Sequence, residues 1–242
     1  MTTTNSLNNQ CLNDFTVTSA AAAVRTLTCS NTTNGAASGA KVLVQTAGAA
    51  ATGNAVVQIA NAGGQTWSLG LNNNATQAFQ IASSANLGTT NVFTCSTTGS
   101  VKLPLTPSFQ KRVTIALPNV TGAGVNYVIQ YQTSIYDQQA NVALGVFTAP
   151  IAGNYLFCAN VVLYNIGAPH YGGITLMAGG VILAKFDASF NNIQENGYIS
   201  ASLAGIAQMA LGDTAYVSTQ VYGGTQVVGV AVPTCFSGQL IS

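Results

Sequence analysis

The chain reads as all-β. Short apolar runs alternate with polar residues at period two, Gly, Asn and Ser interrupt them at close intervals, and the spacing leaves no room for helices. Between Lys41 and Val101 the strands are clearest: Val42-Leu43-Val44, Ala55-Val56-Val57-Gln58-Ile59, Thr66-Trp67-Ser68-Leu69-Gly70-Leu71, Ala78-Phe79-Gln80-Ile81 and Val92-Phe93-Thr94-Cys95. Turn residues separate each pair, which predicts a β meander over residues 39–101. Before it, residues 1–38 hold weaker alternations, Phe15-Thr16-Val17-Thr18 and Val24-Arg25-Thr26-Leu27-Thr28-Cys29, and read as short strands or an extended attachment segment.

After the meander, Lys102-Leu103-Pro104-Leu105-Thr106-Pro107 places two prolines around an apolar residue, and Phe109-Gln110-Lys111-Arg112 follows. Proline holds itself and its predecessor extended, so residues 102–112 are expected to form a semi-rigid linker. Lys102, Lys111 and Arg112 are half of the six basic residues and read as a solvated stretch. Residues 113–242 then form a second β unit. Within it, Phe147 lies on a strand, Pro150-Ile151-Ala152-Gly153 forms a turn, and Tyr155 and Phe157 share one face of the next strand. Met209-Ala210-Leu211-Gly212-Asp213-Thr214-Ala215-Tyr216-Val217 repeats the plan around a Gly-Asp turn, and Cys235-Phe236-Ser237-Gly238-Gln239-Leu240-Ile241 closes the chain as a strand.

Charged residues make up only 5% of the 242 residues and net charge is +1. Ordinary domains carry about a quarter. That surface has no electrostatic footprint for nucleic acid or anionic lipid, and its weak self-repulsion favours close packing of identical chains. No stretch reaches the length of a membrane-spanning helix, so membrane insertion is not expected. The start, Met1-Thr2-Thr3-Thr4-Asn5-Ser6-Leu7, lacks the basic and apolar regions of a secretory signal. A surface-type composition without a signal fits a viral structural protein released by lysis, and a processed N-terminus would look the same. Five cysteines, Cys11, Cys29, Cys95, Cys158 and Cys235, show no Cys-x-x-Cys spacing and are expected as buried thiols; bonding between chains through Cys11 or Cys29 is the alternative.

The three landmarks of the second unit resemble the jelly-roll family of the complement C1q and tumour-necrosis-factor heads. That family carries a "Phe-x-x-Pro-x-x-Gly-x-Tyr-x-Phe" hairpin, a "Leu-x-x-Gly-Asp" turn and a terminal "Phe-x-Gly-x-Leu" strand in this order. The resemblance implies a homotrimeric jelly-roll head whose trimer core is built from Phe147, Tyr155, Phe157, Tyr216, Phe236 and Leu240. The first unit resembles a module of phage tail-fibre and virion-fibre shafts through Trp67, Leu69, Gly70, Asn72 and Asn73, then Phe79 and Ile81, then Asn86, Leu87 and Gly88, and finally Phe93, Thr94, Gly99 and Val101. It departs at Asn72, Asn73 and Asn74, where the family often has acidic residues. Trp67 is expected as a core anchor.

Catalytic chemistry has few candidates. His170 is the sole histidine, no Gly-x-Ser-x-Gly elbow accompanies it, and Pro169-His170-Tyr171-Gly172-Gly173 reads as a loop. Asp14, Asp137, Asp187, Glu195 and Asp213 are scattered, although Asp187 and Glu195 flank one expected loop and could approach as a carboxylate pair. Zinc spacings, phosphate loops and a clustered calcium ligand set are absent, so no catalytic, cofactor-binding or metal-binding residue is expected. Interaction remains. All nine tyrosines lie after the linker, and tyrosine offers contact area at low entropic cost together with a hydroxyl. The loops Tyr164 to Tyr171 and Phe190 to Tyr198 nominate Tyr164, His170, Tyr171, Asn191, Asn192 and Tyr198 for receptor contact, with a glycan or a protein as the target.

These readings combine into an all-β homotrimeric fibre protein with a β-meander shaft and a C-terminal head that binds a cell-surface receptor. Residues 1–38 would engage a tail, a capsid or a neighbouring fibre subunit at a virion surface. Two alternatives stand beside it: a subunit or adhesin of a bacterial extracellular fibre, and a glycan-cleaving tailspike.

Overall fold

The structure is a computed structural model describing residues 42–45, 53–73, 77–191 and 197–242. The attachment segment expected over residues 1–38 lies outside the described residues, as do Cys11, Cys29, Asp14, Asn74, Asn192 and Glu195. Among the described residues the regular structure is β apart from one 3-10 turn, Gln138–Ala140.

Strands β1 (Ala55–Ala60), β2 (Thr66–Asn72), β3 (Ala78–Ala82), β4 (Asn91–Cys95) and β5 (Val101–Lys102) pair in chain order as an antiparallel meander. The register aligns Leu71 with Phe79, Phe79 with Cys95 and Cys95 with Val101. A second row runs Val57, Leu69, Ile81, Phe93, and a third pairs Ile59 with Trp67. Directly opposed residues share a face, so one face of this sheet is apolar throughout. That face is the bare one. Trp67 is exposed, which corrects its expected role as a core anchor. Trp67, Leu69 and Leu71 alternate onto one side of β2, and Trp67 stays exposed among the described residues.

The remaining strands form a two-sheet sandwich. Sheet one contains β6 (Ser108–Arg112), β7 (Leu117–Thr121), β9 (Thr133–Asp137), β12 (Gly153–Ile166), β15 (Gly197–Met209), β17 (Val228–Val230) and β18 (Cys235–Leu240). Sheet two contains β8 (Asn126–Val128), β10 (Val142–Ala143), β11 (Val146–Thr148), β13 (Tyr171–Ala178), β14 (Val181–Ser189) and β16 (Thr214–Tyr222). The eight principal strands lie in the orders β6-β18-β12-β15 and β11-β16-β13-β14. Every connection between consecutive members of this set changes sheet except β13 to β14. Two antiparallel four-stranded layers connected in this way are a jelly roll.

This strand order corrects two expectations. Phe147 and Tyr155 belong to different sheets, so the Pro150 to Gly153 segment is a corner between layers and not a hairpin turn. The Gly212-Asp213 turn likewise carries β15 of sheet one into β16 of sheet two; Asp213 Oδ2 accepts from the Ala210 N–H at 2.8 Å and holds the corner. Gly153 keeps an ordinary φ. Its requirement is space, since a Cβ there would meet Leu240 Cδ1 at 2.6 Å and the Ser242 carbonyl oxygen at 2.7 Å.

The linker expected over residues 102–112 ends early, because Ser108–Arg112 is strand β6, paired with β18 and β9. Phe109 fills the middle of the sandwich. Its ring centroid lies 4.9 Å from that of Phe236 and 5.0 Å from that of Phe147, while Phe157 lies 5.6 Å from Phe147. Gly238 makes this packing possible, because a Cβ there would stand 2.6 Å from the Phe109 ring and 2.7 Å from the Phe157 ring. Lys111, expected in solvent, forms an ion pair of 2.7 Å with Asp137, and both side chains are largely buried. The pair and its carboxylate bonds to the Asn141 and Val142 N–H groups fix the entry into sheet two.

The aromatic residues assigned to a trimer core occupy other places. Phe147, Tyr155, Phe157 and Phe236 are buried inside one chain's sandwich, and Tyr155 donates its hydroxyl to the Ile151 carbonyl at 2.8 Å. They have no surface left to present to a second chain. Leu240 is half-buried against the same core. Burial also pushes the Tyr131 phenol far above its usual pKa range beside the Phe236 ring.

Candidate functional site

The outer face of sheet two carries an open groove of about 700 Å³. Its construction follows from alternation along three paired strands. Inward residues Ile174, Leu176 and Ala178 of β13 enter the core, which turns Tyr171, Gly173, Thr175 and Met177 outward. Register then places four rows across the face. Ser189, Tyr171 and Tyr222 form the first, and Asp187, Gly173 and Gln220 the second. Lys185, Thr175 and Ser218 form the third, and Ile182, Met177 and Tyr216 the fourth.

Large side chains stand at both ends, and Gly173 leaves the middle low. Tyr171 and Tyr222 stack with centroids 5.3 Å apart and an interplanar angle of 13°. Gly124 supports this pair, since a Cβ there would lie 2.8 Å from the Tyr222 ring. Gln220 donates to the Gly124 carbonyl at 2.8 Å, which orients its amide at the groove wall. Lys185 and Asp187 pair at 2.5 Å, with both side chains about half exposed. The polar centre is therefore hydroxyl, amide and one neutralised ion pair, between aromatic ends.

Of the residues nominated for receptor contact, Tyr171 lies in this groove. His170 does not. It is buried, its Nδ1 accepts from the Gly167 N–H at 3.2 Å, and its carbonyl accepts from the Phe190 N–H at 3.0 Å, so it locks the loop that leads into β13. Tyr164 and Tyr198 face each other across β12 and β15, stacked at 6.2 Å on the outer face of sheet one, away from the groove. Asn191 is exposed just after β14, and Asn192 lies outside the described residues. Tyr216, assigned to a trimer core, is half-buried on the groove face instead. Alternation decides this: its neighbours Ala215 and Val217 point inward.

Residue-by-residue reading missed Tyr222, Met177, Gln220 and Gly173. The pattern Tyr171, Thr175, Met177 was available as one face of a strand, but the partners come from β14 and β16, and only the fold supplies that pairing. Among the described residues Asp187 is the one carboxylate lining the groove and is bound to Lys185. Among the described residues no three His, Cys, Asp or Glu side chains cluster. Cys158 is exposed on the outer face of sheet one and Cys95 and Cys235 are half-buried, which corrects the expectation of buried thiols. Among the described residues no helix is long and apolar enough to cross a membrane.

Fold and surface together define a jelly-roll domain with an aromatic-ended groove on one outer sheet face. No protein-family model matches the chain, and no curated protein matches it. Among solved structures, the globular domain of the zebrafish complement 1qA protein is similar over 57% of this chain and 98% of its own, at 15% identity and a TM-score of 0.41. Murine APRIL at pH 8.0 is similar over 56% of this chain and 99% of its own, at 12% identity and a TM-score of 0.40. The jelly-roll assignment rests on the strand order itself.

Proposed function

We propose that the protein is a homotrimeric fibre subunit of a virion or phage tail whose jelly-roll head binds a cell-surface glycan through the groove on sheet two. The observation that carries the binding role is the groove's layout, with exposed Tyr171 and Tyr222 at one end and Gln220, Ser218 and Thr175 along its middle. Sugar rings place their C–H faces against aromatic rings while their hydroxyls bond amides and alcohols, and a site of this kind needs no net charge. Among the described residues one carboxylate, ion-paired with Lys185, lines the groove, whereas a glycosidase uses an acid and base pair, so these residues suit binding and release of an unchanged ligand. The fibre role is supported by the sequence landmarks of head and shaft and by the low charge of the chain.

Glycan-array and cell-binding measurements on the full-length protein test the groove. Tyr171→Ala and Tyr222→Ala each weaken binding about tenfold or more with little change in melting temperature, because both rings are substantially exposed. Unchanged binding in both variants would sink the groove assignment, and binding to a purified surface protein in place of glycans would redirect it to a protein receptor. Light scattering at micromolar concentration is expected to give three chains per particle; a stable monomer would remove the trimer. The reading of a bacterial extracellular fibre subunit is favoured by one observation, the bare apolar sheet face near the N-terminus. Electron microscopy separates the two: discrete spikes fit the first reading and continuous filaments the second.

A further inference from the structure

The N-terminal meander inverts the usual arrangement of a solvated sheet. Its polar face is covered and its apolar face is bare. Ser68, Asn72 and Gln80 are buried on the polar side, with Asn72 Nδ2 donating to Gln80 Oε1 at 2.9 Å. The chain's own loop from Ser83 to Thr90 lies over them. Gln58 donates to the Ala85 carbonyl at 2.7 Å, Gln65 donates to the Ser83 carbonyl at 2.5 Å, and a Cβ on Gly88 would stand 2.8 Å from Asn72 Nδ2. Leu87 of the same loop is buried.

On the other side, Val57, Ile59, Trp67, Leu71, Phe79 and Val101 are 39–64% exposed. Those exposures amount to about 500 Å² of contiguous apolar surface, near the upper limit that monomers leave uncovered. Among the described residues no charged side chain interrupts the face, since Lys102 of β5 points to the opposite side from Val101. Natural sheets guard such faces and edges with charge, and this one carries none.

We propose that this face is a self-association surface, buried against the same face of further copies of this chain. The lack of charge on the described face favours a copy. A stable interface takes roughly 800 Å² from each partner, so the face supplies more than half of that share and nearly all of it is apolar. Because like charges are absent, identical faces meet without repulsion, and a flat apolar face is complementary to itself. The chain's own residues 1–41 are a poorer cover. Their large aliphatic and aromatic side chains are Leu7, Leu12, Phe15, Val17, Val24 and Leu27, dispersed among Asn, Thr, Ser and Ala. The proposal rests on the multichain part of the reading above and is independent of the glycan part.

Trp67 is the sole tryptophan of the chain, so its fluorescence reports on this face directly. In the full-length protein at micromolar concentration, acrylamide quenching of Trp67 is expected to be several-fold weaker than that of a free tryptophan amide, in a particle that light scattering shows to hold more than one chain. Leu71→Lys and Ile59→Lys place a charge on an exposed position, so the fold is retained, and each should raise quenching several-fold. Quenching of wild-type Trp67 as strong as in the lysine variants would overturn the proposal while leaving a head-mediated trimer intact. Shielding of Trp67 in a single-chain particle would also overturn it and assign the cover to the chain's own segment. Loss of glycan binding with Trp67 still shielded would touch the groove alone.

Discussion

Replacing Phe109 with alanine is expected to destabilise the head by about 3–5 kcal/mol, the range for deleting a fully buried aromatic side chain. The ring is completely buried and lies within 6.4 Å of Phe147, Phe157 and Phe236, so it joins both sheets of the sandwich. Surrounding rings have little freedom to collapse into the vacancy, because Phe157 and Phe236 are held on paired strands and Phe147 sits on the opposite layer. At about 2–4 °C per kcal/mol for a domain of this size, the melting temperature should fall by about 6–20 °C. Tyr155→Ala and Phe157→Ala belong to the same class. Tyr198→Ala, on an exposed position, should stay within about 0.5 kcal/mol. Denaturant titration with an unchanged slope would measure these differences, and a loss under about 1 kcal/mol for Phe109 would contradict the packing described.

Gly173→Val carries the second large effect, on stability and on the groove together. A Cβ at this position would collide with the Phe186 carbonyl oxygen and lie 2.7 Å from its carbon. Those are backbone atoms of the paired strand β14, so no side-chain rotation relieves the clash and the strands must separate. The cost is expected to exceed the usual 1–3 kcal/mol of overpacking. Gly173 also forms the low centre of the groove between Asp187 and Gln220, and any larger residue fills the space a ligand would use. Thermal melts and ligand titrations should therefore both fail for Gly173→Val, whereas Tyr171→Ala affects ligand alone. Normal stability together with normal binding would show that the groove floor is drawn wrongly.

Local patterns in the sequence identified the meander strands from Ala55 to Cys95 and the strands around Phe147, Tyr155, Tyr216 and Phe236, because alternation reports a single strand's two faces without reference to its partners, but they left the start of β13 as a loop. Phe147, Tyr155, Phe157 and Phe236 stood out as a set through the resemblance of their motifs to the jelly-roll heads, which implied burial between chains. Where they are buried was not legible. Whether an apolar face meets its own chain or another depends on pairings such as Phe109 with Gly238 and Asp137, which join residues far apart in the chain. The proline-rich stretch before Phe109 suggested a linker because proline constrains only its neighbours, while the strand that follows is defined by β18, more than a hundred residues later.

The sequence by itself determined the all-β class, the meander strands from Ala55 to Cys95 though not the strand expected at Val42-Leu43-Val44, the positions of the jelly-roll corners, and the near absence of charge, since each depends on residue type and short-range spacing. Tertiary structure alone decided which layer each strand joins, that His170 is buried while Tyr171 is exposed, and that Tyr171, Gln220 and Lys185 meet around one groove. It also decided that Trp67 faces outward. Those outcomes depend on contacts between segments whose separation carries no local signature, and burial is a property of the whole packed chain.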